Sequence, residues 1–196
     1  MVLLEHEQKD QRPDRYARFF EEEGVKYKDV IYVMGNHEHY GFQFQKTYAQ
    51  ILTQLPDNVH LLENETYDIE DVTFVGCTLW TDMNKCDAMT LYTVRQSMND
   101  FRQVTMFNEA KSAYHRLTPE RVMEDHFKSK DFIRETVERD PLRKYVVCTH
   151  HAPSKASTKP QYHTQHLING AYSSDLSEFI LDHPQIKVWT HGHTHD

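Results

Sequence analysis

Fourteen histidines in 196 residues set the terms on which this sequence can do chemistry. Imidazole is the commonest protein metal ligand, and it exchanges a proton near neutral pH. Three clusters stand out by spacing. In His193-Thr194-His195 one residue separates two imidazoles. Continued as a strand, they share a face. In a turn just past a strand they can converge on adjacent cations, for which neutral imidazole is a good ligand. Gly192, immediately before them, lets the backbone approach a site closely. The plainer alternative is a polar, His-rich tail, but this segment alternates and follows an apolar run, unlike a tag. Gly35-Asn36-His37-Glu38 offers an amide oxygen to a metal and an imidazole that can protonate a leaving group. Taken alone, it equally reads as a turn. His150-His151-Ala152-Pro153 is the third candidate, and of two adjacent imidazoles one ordinarily points away.

Each cluster follows an apolar run that can hold it. Residues 29–34, 145–149 and 186–190 are short and rich in β-branched side chains, as buried strands are. Three His-bearing loops leaving three strand ends point to one shared site, because ligands in layered α/β folds gather beyond the carboxyl ends of strands. Helices are expected over 14–23, 44–55 and 118–139, the last with Thr118 as cap and Pro119 at its first position. Another is expected to run from a cap at Ser173 or Ser174 to Leu181. Residues 59–62, 66–69 and 72–79 read as strands, the last two forming a hairpin across Glu70-Asp71. Alternating strands and helices argue a layered α/β fold, one domain spanning 1–196. Residues 82–118, rich in Met, Asn, Gln and Tyr, show no period and read as an irregular, cap-like excursion over the site.

Composition narrows the function further. The chain carries 22 Lys+Arg against 30 Asp+Glu, a formal net charge of -8, and no basic stripe. Passive binding to a nucleic-acid backbone is therefore not its expected main function. No run of about 18 apolar residues exists to span a membrane, and the polar start does not read as a secretory signal. Cys77, Cys86 and Cys148 are an odd number without a CxxC pair, so free thiols in a reducing cytoplasm are expected.

Gly35-Asn36-His37-Glu38, Thr149-His150-His151-Ala152-Pro153-Ser154 and Gly192-His193-Thr194-His195 resemble three successive sequence blocks of the calcineurin-like metallophosphoesterases. Thr78-Leu79-Trp80-Thr81-Asp82 and Met98-Asn99-Asp100-Phe101 are similar to a phosphohydrolase branch of that superfamily. The resemblance covers nearly the whole chain. It implies a two-layer β-sandwich flanked by helices, with two divalent cations (Mn, Fe, Zn or Ni) at one edge. It also implies hydrolysis of a phosphomonoester or phosphodiester, either a small molecule or a nucleotide. Two cations about 3.5–4 Å apart would clamp the phosphate and generate the hydroxide that attacks it in line. By this resemblance Asn36, His150 and His193 bind one metal and His195 binds the other. His37 touches the substrate, stabilising phosphoryl oxygens or protonating the leaving group, and Asp100 orients a catalytic imidazole. His151 either contacts substrate or is packed.

The family's first two blocks, an Asp-x-His and a Gly-Asp, have no counterpart, and Glu5-His6-Glu7 is the nearest stand-in. The expectation is a fold truncated at both ends and weakly active by itself. One competing reading is a relative that binds metal or phosphate without turnover. Another is a metallo-β-lactamase-like hydrolase, to whose motif His191-x-His193-x-His195-Asp196 is similar. Its carboxylate and last imidazole stand in the wrong order for that motif, and Gly35 to Glu38 would go unexplained.

Overall fold

Two facing sheets lie between helices in the computed structural model, which describes residues 14–194. Helix α1 (Asp14–Glu22) ends just before Gly24. Strand β1 (Val30–Tyr32) is apolar and buried throughout, α2 (Phe44–Leu52) crosses over, and β2 (Val59–Leu61) returns parallel to β1. Parallel neighbours need such a crossover, and its helix covers one face of the pair. Phe20, Val30, Tyr32, Ile51, Val59 and Leu61 form the core that joins α1 and α2 to these strands.

Strands β3 (Glu65–Ile69) and β4 (Val72–Cys77) form the expected hairpin, with Glu70 in the left-handed region at φ 53. The following stretch, read above as irregular, is built of short regular elements. It holds a left-handed turn (Met83–Cys86), helix α3 (Ala88–Ser97) and a hairpin of β5 (Thr105–Asn108) and β6 (Ala113–Arg116). Asp87 caps α3 by accepting from Thr90 N. Val94, Phe101, Val104 and Met106 pack with Trp80 and Val122 into a separate small core, which their diluted spacing does not reveal. Leu79, Trp80 and Met83 to Cys86 all have positive φ. Each left-handed non-glycine residue costs roughly 1–2 kcal/mol, so packing must hold this segment.

Helix α4 (Pro119–Arg139) begins as expected, Thr118 Oγ1 accepting from Arg121 N. Strand β7 (Lys144–Thr149) then inserts parallel to β4. The last helix, α5 (Ser177–Asp182), starts later than the serines expected to cap it. Ser173 and Ser174 instead run alongside Ala152, and Ser174 Oγ accepts from Asp82 N at 2.9 Å. Strand β8 (Ile186–His191) completes a sheet ordered β3-β4-β7-β8 as its edge, with no residue buried, so it is not the buried strand expected.

Both faces of the central strands β4 and β7 are covered, and the period of two along each strand shows how. Val75, Cys77, Tyr145 and Val147 pack under Ile133 and Val137 of α4. Phe74, Val146 and Cys148 face Ile31, Val33 and Leu62 of the other sheet. Gly76 lies where the sheets press together, since a Cβ there would fall 2.4 Å from Leu62 Cβ. The result is helix, sheet, sheet, helix, with β1, β7 and β8 all ending at one edge. Cys77 and Cys148 are buried and Cys86 exposed, all as free thiols. Among the described residues no helix is long and apolar enough to cross a membrane.

Candidate functional site

Three side chains meet where the strands end. Asn36 follows β1, His150 is the first residue after β7, and His193 lies two residues beyond β8. His150 Nε2 is 3.1 Å from Asn36 Oδ1 and 3.0 Å from His193 Nδ1. The parallel register explains the second distance: Thr149 pairs with His191, and Gly192 N donates to His150 O at 3.0 Å, extending the ladder past both strands. A tight turn then closes with Thr194 N donating to Gly192 O at 2.8 Å. Its central residue, His193, sits at φ 67, a rare and strained conformation that carries the imidazole toward His150.

Gly35 has a steric reason that turn chemistry alone does not supply. A Cβ there would lie 2.5 Å from His150 Cε1, so the imidazole occupies the space any side chain would need. The chain reversal after it is fixed by Glu38, to which the sequence reading gave no role. Glu38 Oε2 accepts from Gly35 N at 2.7 Å, and Oε1 accepts from the Tyr32 hydroxyl at 3.2 Å. A carboxylate three residues after the turn's first N–H is a legible capping signal.

Asp100 reaches the site through Asn36. Its Oδ1 accepts from Asn36 Nδ2 at 2.6 Å, which turns the amide oxygen toward His150. Burial raises the Asp100 carboxyl above its ordinary range, while hydrogen bonds from Asn36 and Tyr40 and the charge of His37 oppose that rise. The Tyr40 hydroxyl is raised by the same burial and by Asp100. His37 is half-buried one residue from Asn36, its ring 4.8 Å from that of Tyr40.

Directly beneath lies a buried aromatic layer. His151 is 2% exposed and its Nδ1 is 3.2 Å from Thr78 O. Its ring lies 5.0 Å from Trp80 and 4.3 Å from His193. Of the two readings open for His151, packing is the one this burial fits. Burial pulls its pKa down to about 3, so it stays neutral. His39, not singled out from the sequence, is equally buried between Phe44 and Trp80 and is also pulled down to about 3. Glu63 supports the layer from behind, accepting from Thr78 N at 3.0 Å and Thr78 Oγ1 at 2.6 Å. Burial pushes Glu63 up to about 7, although both donors favour its charged form. No period or motif marks His39 or Glu63.

One amide oxygen and two imidazole nitrogens facing one another are a neutral donor set that suits a borderline divalent cation. Among the described residues no group of three His, Cys, Asp or Glu is placed to hold a metal ion. His195 and the Glu5-His6-Glu7 stretch lie outside the described residues.

A sequence model of the calcineurin-like phosphoesterases matches residues 6–196. The chain belongs to that family, whose members are phosphoester hydrolases that generally use divalent metals. An uncharacterized protein of Acanthamoeba polyphaga mimivirus is 27% identical over 192 residues, covering 91% of this chain and 65% of that protein. The chain thus spans less than two thirds of that relative's length. No solved structure matches the chain.

Proposed function

We propose that this chain hydrolyses phosphomonoesters or phosphodiesters around a divalent cation held by Asn36, His150 and His193. The observation that carries the reading is the meeting of Asn36 Oδ1, His150 Nε2 and His193 Nδ1 within 3.1 Å of their neighbours, from three separate strand ends. A divalent cation there supplies Lewis-acid polarisation of the phosphoryl group. The chain's own residues supply the positioning. Asp100 fixes the Asn36 amide, and Gly35 makes room for the His150 ring. The packed His151 supports His193 from below. His37 stands beside this set to stabilise phosphoryl oxygens or hand a proton to the leaving oxygen. His195 is proposed as a donor to a second cation.

Elemental analysis after dialysis, followed by assay of a chromogenic phosphate ester with Mn²⁺, tests the reading. The expected result is about one tightly held ion per chain through the Asn36 set and cation-dependent hydrolysis. Hydrolysis should vanish in Asn36→Ala and fall about 10²-fold or more in His37→Ala. Among the described residues no group of three His, Cys, Asp or Glu is placed to hold a metal ion, which favours a second reading, cation binding without turnover. Stoichiometric binding with no hydrolysis under any divalent cation would select that reading. Absence of binding would overturn both.

A further inference from the structure

Beside the three donors opens a cleft of about 260 Å³ that the site itself does not use. His193 and Thr194 form its inner end, and Tyr162, Gln165, Ile168 and Tyr172 its walls. The Tyr172 ring lies 4.6 Å from that of His193, so cleft and donor set share a wall. A phosphate held at Asn36, His150 and His193 would therefore lead its ester group into this cleft.

The outer wall is preformed. Lys155 Nζ is half-buried and donates to Asn84 Oδ1 at 2.9 Å, Asn169 O at 3.3 Å and Ser173 O at 2.5 Å. Asn169 Nδ2 donates to Tyr162 O at 2.7 Å, and Thr81 Oγ1 donates to Gly170 O at 2.6 Å. Ala152 N donates to Tyr172 O at 3.2 Å. These bonds tie residues 155–173 to the strained segment after β4 and to the loop after β7. A cleft ordered before its ligand arrives spares the ligand that ordering cost.

Its chemistry selects a ligand. Two tyrosines and Ile168 offer flat apolar surface, and the Gln165 amide offers a donor and an acceptor. Lys159 adds positive charge, and among the described residues no Asp or Glu lines the cleft. The volume suits a small ligand rather than a folded protein segment. We infer that the cleft binds the nucleobase end of a nucleotide, making nucleoside phosphate esters the substrate class. The assignment rests on the phosphoesterase reading for its phosphate end and on the cleft alone for its base end.

Equilibrium binding to the full chain with Mn²⁺ separates these two ends. The probes are adenosine 5′-monophosphate, adenosine and ribose 5-phosphate, followed by titration calorimetry. The nucleotide should bind about 10-fold or more tighter than ribose 5-phosphate, because stacking a base on an aromatic side chain contributes on the order of 1–3 kcal/mol. Tyr162→Ala should bring the nucleotide down to the ribose 5-phosphate level and leave ribose 5-phosphate unchanged. Tyr162 is 44% exposed, so truncation spares the core, and Gln165→Ala offers a second, milder variant. Equal affinities for nucleotide and ribose 5-phosphate would overturn the base assignment while leaving the phosphoesterase reading intact. Binding of adenosine but neither phosphate would support the cleft and count against the phosphate site. Binding of none would overturn both.

Discussion

His150 and His151 leave β7 in consecutive positions and enter regions with different physics. Above, beyond the strand ends, His150 faces Asn36 and His193 across distances that a shared cation can bridge. Below, His151 lies in a layer with His39 and Trp80, where burial holds imidazole neutral and the ring serves as packing. The same side chain thus offers a lone pair in one place and a flat apolar face with one hydrogen bond in the other. The surroundings, not residue type, decide which. The two regions also depend on each other, because the His151 ring supports that of His193.

Substituting the two neighbours is the strongest way to break this contrast. His150→Ala should weaken divalent-cation binding by about 100-fold or more, read by competition with a chromogenic chelator, with little change in unfolding midpoint. His151→Ala should instead destabilise the fold by about 2–4 kcal/mol in urea titrations and keep cation affinity within about 10-fold. Comparable loss of cation affinity in both variants would erase the distinction.

A second test reaches the upper region without touching a donor. Gly35→Ala should push the His150 ring aside and weaken cation binding by about 10–100-fold. Unchanged affinity would show that the ring's seat against the backbone does not matter. Asp100→Asn should cost about 10-fold, because the new amide no longer compels Asn36 to present its oxygen. Full affinity in that variant would remove Asp100 from the positioning role.

The smallest expected effect sharpens the lower region. Glu63 is pushed from 4.5 up to about 7 in the fold. The folded chain then holds a proton that the unfolded chain has released, so stability falls as pH rises from about 4.5 to about 7. Glu63→Gln should remove about 1–2 kcal/mol of that decline, measured as the difference in urea unfolding between pH 5 and pH 7.5. A pH profile identical to that of the unsubstituted chain would mean Glu63 titrates normally.

Much of the site was legible because its donors follow apolar, β-branched runs. Residues 29–34, 145–149 and 186–190 each hold a strand, the first two buried and the third a half-exposed edge strand, and parallel strands deliver their carboxyl ends to one edge. Asn36, His150 and His193 are carried there together, while His195 lies outside the described residues. The Thr118-Pro119 helix start and the Glu70-Asp71 hairpin were equally local matters, written in caps and turn residues. The Ser173-Ser174 cap failed because those serines had a tertiary use beside Ala152 and Asp82.

What the chain order alone determined is therefore which residues arrive at the edge: periodicity, caps and β-branched runs act between near neighbours. Only the tertiary structure decided how deep each one sits. Thr78 and Trp80, far from His151 in sequence, pack against it, and Tyr172 frames His193. Burial is a sum over such distant contacts, and desolvation by that sum holds His151 neutral and raises Glu63.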